Sequence, residues 1–156
     1  MQDIKVAYRQ FMEELFNQRD LSAVDRYVDP NQINHHLYPG QKEGSEGVKQ
    51  TATTLLQAFP DLHMTIDEIV QREDTLVIVW TMQGTQKGTL FGMPPSGNQA
   101  TWTGIDSVRF SNGKVAERWG QHDALSMAKQ LGVDVRKAEH SARSMTQPSS
   151  VAQESV

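Results

Sequence analysis

The chain has 156 residues, a net charge of −4 and 37% hydrophobic residues. That is enough for one domain with a real core, and the mild negative charge offers no basic footprint for nucleic acid or a membrane surface. The absence of cysteine excludes disulfides, thiolate metal sites and a cysteine nucleophile. No stretch reaches the ~20 apolar residues of a membrane span. Met1-Gln2-Asp3-Ile4-Lys5 is not a signal peptide, so a soluble cytoplasmic protein is expected.

Ile4, Tyr8, Phe11, Met12 and Leu15 recur at helical spacing, which predicts an amphipathic helix over 3–17. Asp20 can cap a second helix running to Val28, closed by Pro30. The segment 33–37 reads as a short strand or loop. Val48, Ala52, Leu55, Leu56 and Phe59 form the stripe of a third helix, stopped by Pro60. From Leu62 the period changes to two, predicting a strand, a turn at Glu73-Asp74 and a second strand from Leu76 to Gln86. Gly92 to Gly97, with Pro94 and Pro95, is a loop. A short helix over 123–131 ends at Gly132. After Gly132 the composition turns polar. The expected organisation is one domain over 1–132 and a removable polar tail over 133–156.

Thr101 to Asp123 is the most informative stretch. Two strand-like runs flank Asn112-Gly113, a pair suited to a two-residue type I′ turn. In that register Trp102, Gly104, Asp106, Val108 and Phe110 share one face with Val115, Glu117, Trp119, Gln121 and Asp123. Two indoles and three carboxylates on one face suggest a polar-aromatic cavity wall. Arg109, Arg118 and His122 fall on the opposite face, where His122 is expected at the surface or an interface; a β-bulge in the hairpin would turn Arg109 inward.

Helices followed by antiparallel strands give an α+β class. The expected form is a cone-shaped barrel, its curved, mostly antiparallel sheet packed on three N-terminal helices around an internal pocket. With large residues on both strand faces, the sheet is expected to pair two copies into a homodimer.

Asp123 has two available roles. It can N-cap the last helix, ahead of Ala124-Leu125-Ser126. Desolvated between Trp102 and Trp119, it could instead abstract a proton beside a carbonyl. Gln121, His36 or His63 could then donate to the enolate oxygen. Asp106 is a further candidate on the same face, and Glu117 could equally hold an arginine. Adjacent His35 and His36 point to opposite sides, and no metal-ligand spacing is present, so neither a metal nor another cofactor is expected. No phosphate-binding glycine loop or serine-nucleophile elbow occurs.

Gly44-Ser45-Glu46-Gly47-Val48, Ala58 to His63, Gly84-Thr85, Gly92 to Gly97, and Gly113 to Trp119 with Asp123 occur in an order that resembles the SnoaL-like polyketide cyclases. These ester cyclases belong to the superfamily of nuclear transport factor two. The resemblance spans roughly residues 5–132. It implies ring closure by intramolecular aldol addition without cofactor, with the acid-base aspartate at Asp123. The sequence departs from the family at Gln86, where histidine is frequent, and at Val77 to Trp80, which lacks an arginine. Two functional expectations stand. One is an enzyme using general acid-base chemistry on a largely apolar, carbonyl-containing small molecule, as a cyclase, isomerase or hydrolase. The other is a non-catalytic ligand-binding protein with the same pocket.

Overall fold

The computed structural model describes residues 3–38 and 40–134. The chain folds as α1 (Ile4–Met12), α2 (Ala23–Tyr27), β1 (Val28–Asn34), α3 (Gly44–Ala58), β2 (His63–Arg72), β3 (Thr75–Thr85), β4 (Gln99–Ser111), β5 (Lys114–His122) and α4 (Ala124–Gln130). The strands form one sheet in the order β1-β5-β4-β3-β2. This is an α+β architecture with a mixed sheet: β1 runs parallel to β5, and every other neighbouring pair is antiparallel. Of the polar tail expected over 133–156, all but Val133 and Asp134 lies outside the described residues.

The N-terminal helix forms as its periodicity requires. The Asp3 side chain accepts from Lys5 N at 2.9 Å, and Ala7, Tyr8, Phe11 and Met12 are buried. The helix continues as a π-helical turn over Glu13–Asn17, closed by a bond from Gln18 N to Glu13 O at 2.9 Å. The extra residue in that turn keeps Leu15 and Phe16 both buried, a use typical of such turns. Helix α3 begins at Gly44, four residues before the first apolar residue of its stripe.

Pro30 does not end a helix. It sits within β1, and this is possible because β1 is an edge strand whose register against β5 shifts between Val28 and Ile33. The inward positions of that strand are Val28, Gln32 and Asn34, all buried.

The Asn112-Gly113 turn forms with φ of 52° and 79°, but the register beyond it differs from a plain two-residue hairpin. Phe110 pairs with Val115, whereas Arg109 pairs with Glu117 and Val108 with Arg118. Ala116 is therefore an extra residue on β5, a bulge that moves every later side chain to the other face. Asp106 then stands opposite Gly120 and Gly104 opposite His122. A second bulge places Asp67 as an extra residue on β2. Among the described residues, no helix is long and apolar enough to cross a membrane.

Candidate functional site

The inner face of the sheet, α1 and α3 enclose a cavity of about 120 Å³. Its wall is mostly apolar, with Phe11, Phe16, Leu55, Trp80, Trp102 and Met127 among its lining residues. Set into this wall are Tyr8, Gln32, Asn34, Tyr38, Asp106, Arg118 and His122. A few polar groups in an apolar hollow is the usual make-up of a small-molecule site.

Asp106 and Arg118 form the centre of the polar group. Arg118 Nε donates to Asp106 Oδ2 at 3.0 Å and Nη2 to Oδ1 at 3.3 Å, a two-pronged pair. Trp80 Nε1 donates to the same Oδ1 at 3.3 Å. Arg118 Nη1 reaches Asn34 Oδ1 at 3.2 Å, tying β5 to β1. Asp106 is 7% exposed. Burial opposes the charge on Arg118, but Asp106 more than compensates and holds its pKa above the ordinary value. Two glycines make room for this arrangement. A Cβ on Gly104 would overlap the Trp80 ring, and one on Gly120 would overlap the Arg118 guanidinium and crowd Asp106.

His122 closes one side of the cavity. The hydroxyl of Tyr38 lies 3.3 Å from its Nδ1 and 3.2 Å from its Nε2. Burial, and then the charge of Arg118, push the His122 pKa below 6.5, with Asp106 and Asp123 opposing. The imidazole is therefore largely neutral, and able to accept a proton, at neutral pH. Burial raises the pKa of Tyr8 and of Tyr38, so both phenols are held as donors. Tyr38 also stacks on Phe91, with ring centroids 4.5 Å apart. Phe91 sits in the tight Leu90–Met93 turn.

Of the residues singled out from the sequence, Trp102 and Asp106 line the cavity. The bulge at Ala116 puts Glu117, Trp119 and Gln121 on the outer face and brings in Arg118 and His122. Glu117 accepts from Arg109 Nε at 3.1 Å and pairs with His35 Nε2 at 2.7 Å, while His35 stacks on Trp119 at 4.5 Å. His36 is exposed, its Nδ1 accepting from Gly120 N at 2.9 Å, and Gln121 Nε2 lies 3.3 Å from its Nε2. His63 is exposed on β2, where its Nδ1 lies 3.4 Å from Thr65 Oγ1. Asp123 is exposed and caps α4, accepting from Ser126 N at 3.0 Å. Its cap role, open in the sequence, is the geometry found. Among the described residues, no cluster of three or more His, Asp or Glu is placed to hold a metal ion.

The two departures from the family pattern have local explanations. Gln86 is fully buried and pins the loop before β4. Its Oε1 accepts from Ser96 N and Oγ, and its Nε2 donates to Gly88 O and Met93 O. On β3 no arginine is present, and the guanidinium lining the cavity belongs to Arg118 of β5. The missed residues were Arg118, His122, Gln32, Asn34, Tyr38 and Tyr8. Tyr8 was read only as part of the apolar stripe of the first helix; the bulge hid Arg118 and His122, the proline in β1 hid Gln32 and Asn34, and Tyr38 carried no periodic signal.

The comparisons agree with this architecture. TsrD from Streptomyces laurentii superposes with a TM-score of 0.77 at 27% identity, covering 86% of this chain and 100% of that one. AclR, a candidate hydroxylase from Streptomyces galilaeus, gives 0.71 at 26%, covering 82% and 94%. A candidate polyketide cyclase from Acidithiobacillus ferrooxidans gives 0.70 at 29%, covering 81% and 92%. No curated protein matches the sequence. The sequence profile of the SnoaL-like polyketide cyclases matches residues 6–131, nearly the whole described chain, and the protein belongs to that family.

Proposed function

We propose that this protein is a small-molecule enzyme acting by general acid-base chemistry, without a cofactor, on a largely apolar, carbonyl-containing substrate held in the cavity. The observation that carries this reading is the placement of a neutral His122 beside a paired Arg118 in an otherwise apolar hollow. His122 removes a proton from the carbon next to a carbonyl. The C–H electron pair moves onto the carbonyl oxygen as an enolate. Arg118 uses three donor positions on Asp106 and Asn34, and a guanidinium carries five N–H groups, so two remain for that oxygen. The Tyr38 hydroxyl is a second donor. The enolate carbon then adds to another carbonyl of the same molecule, and the imidazolium returns the proton to the new alkoxide. The solved relatives named as polyketide cyclases support ring closure over other fates of the enolate.

A second copy of the chain fits this reading. Ile33, Val77, Ile105 and Trp119 are exposed on the outer sheet face. A homodimer through that face would cover them and leave the cavity on the far side of the sheet.

The test is deuterium uptake at the enolisable carbons of 2-tetralone in D₂O, followed by proton NMR. The wild type is expected to accelerate uptake, and His122→Asn to lose at least ~10²-fold of that acceleration. Because burial lowers the His122 pKa, the rate should fall to half at a pH below the ordinary imidazole value of about 6.5. If the wild type binds tetralone without exchange, the protein is a ligand binder. If Asp123→Asn loses the rate and His122→Asn keeps it, the base is the aspartate expected from the sequence.

A further inference from the structure

Four amide or carboxylate side chains are buried among the described residues: Gln32, Asn34, Gln86 and Asp106. Three are tied into the protein. Asn34 Oδ1 accepts from Arg118 Nη1 and His36 N. Gln86 uses both amide atoms on its loop, and Asp106 accepts from Arg118 and Trp80. Gln32 is the exception. It is 3% exposed, it lines the cavity, and its Oε1 has no hydrogen-bond partner.

A buried amide oxygen without a donor opposes folding, and proteins seldom keep one without a use. Leucine has a similar volume and would seal this wall at no polar cost. The position is also well defined. Gln32 stands between Val28 and Asn34 on the inward face of β1, and the Asn34–Arg118 bond fastens that strand to β5. The strand is thus held in place, and its Gln32 amide offers an unused acceptor in the wall of an apolar hollow, the arrangement that reads one donor on a ligand. The same cavity holds the Arg118 guanidinium, which disfavours a cationic donor. A neutral hydroxyl meets both conditions.

We infer that Gln32 is a specificity residue, its Oε1 accepting a hydrogen bond from a hydroxyl carried on the apolar ring body of the substrate. This deepens the reading under Proposed function and rests on the same cavity. A hydroxyl so held fixes how the ring body lies against Trp80 and Trp102, and therefore which carbon faces His122.

The experiment is isothermal titration with three probes of one shape: 1-naphthol, 1-methoxynaphthalene and naphthalene. The wild type is expected to bind 1-naphthol at least ~10-fold more tightly than 1-methoxynaphthalene, which can accept but not donate. In Gln32→Leu that gap should shrink below about threefold, through loss of 1-naphthol affinity alone. The melting temperature of ligand-free Gln32→Leu should equal or exceed that of the wild type, since an unpaired amide is gone. Gln32→Met is the second variant should leucine disturb the fold.

Equal affinity of the wild type for all three probes overturns the inference. So does a gap that survives in both variants, or no binding of 1-naphthol at millimolar concentration. Tighter binding of 1-methoxynaphthalene than of naphthalene by Gln32 overturns the acceptor assignment and with it the hydroxyl. Affinity is read without turnover, so the outcomes separate cleanly. A wild type that shows the naphthol gap but no tetralone exchange keeps this inference and loses the enzyme reading.

Discussion

The β4–β5 hairpin carries a carboxylate–arginine pair on each face. Inside, Arg118 Nε meets Asp106 at 3.0 Å; outside, Arg109 Nε meets Glu117 at 3.1 Å. The bond lengths are nearly equal, but the surroundings differ. The inner pair is wrapped by Trp80, Asn34 and two glycines that make room for it. The outer pair shares its carboxylate with His35 and faces solvent beside Trp119. Distance alone therefore says little about what a pair is worth. Inside, the partner left behind by a mutation is a half-buried charge that water reaches only in part; outside, water takes the vacated place more fully.

The comparison breaks hardest at Asp106. Asp106→Asn leaves the half-buried Arg118 without its counter-charge, and a loss of about 3 kcal/mol, the low end for a buried pair, is expected. In a domain of this size that lowers the melting temperature by roughly 10 °C. A change of less than 2 °C in a thermal melt would mean that the inner pair is solvated like the outer one.

The next largest effect concerns the outer face, if a second copy covers it. Ile105 is 55% and Trp119 38% exposed in the single chain. Ile105→Glu should convert a dimer into a monomer of unchanged fold, read by sedimentation at micromolar concentration. A wild type that sediments as one chain removes the dimer and leaves the outer pair fully solvated.

Asp123 gives a smaller effect. Asp123→Ala removes the bond to Ser126 N and should cost about 1 kcal/mol, whereas Asp123→Asn keeps a capping oxygen and should be near neutral. Equal losses in both would mean that the carboxylate charge, and not the cap, is what matters at the end of β5.

The smallest effect is at Glu117. The bond to His35, followed by that to Arg109, lowers its pKa below 4.5. A folded pKa below the unfolded one favours the folded state above the ordinary carboxylate range. That contribution fades as pH falls through the folded value. Glu117→Gln should therefore melt slightly below the wild type at pH 6 in low salt, with the gap narrowing as the pH is lowered toward 3. A difference that persists undiminished at pH 3 would assign the effect to packing.

Much of the fold was legible because its signals are local. The 3.6-residue spacing of Tyr8, Phe11, Met12 and Leu15 marked the first helix, and the strict alternation from Trp102 to Phe110 marked the inward face of β4. Asn112 and Gly113 both have positive φ, and this pair is unusual in tolerating it, so the turn could be placed to the residue. Gly104 falls on this inward face, and the Trp80 ring lies over it in the space a side chain would fill. Pro30 was read as the stop of the second helix because proline cannot continue a helix. Nothing local reveals that β1 lies at an edge, and so Gln32 and Asn34 were passed over.

What the sequence determined by itself is the α+β order, the hairpin turn, the face of β4 and, through the order of its motifs, membership of the family. What only the tertiary structure decided is the face of β5. Side chains alternate with a period of two, so one extra residue at Ala116 exchanges Glu117, Trp119 and Gln121 for Arg118, Gly120 and His122. Ala116 carries no mark of a bulge, and the turn alone permits either register. The bulged one places Arg118 where Asp106 of β4 and Asn34 of β1 can both bond it. Those partners are 12 and 84 residues away in the chain, and a contact over that separation is set by the packed whole.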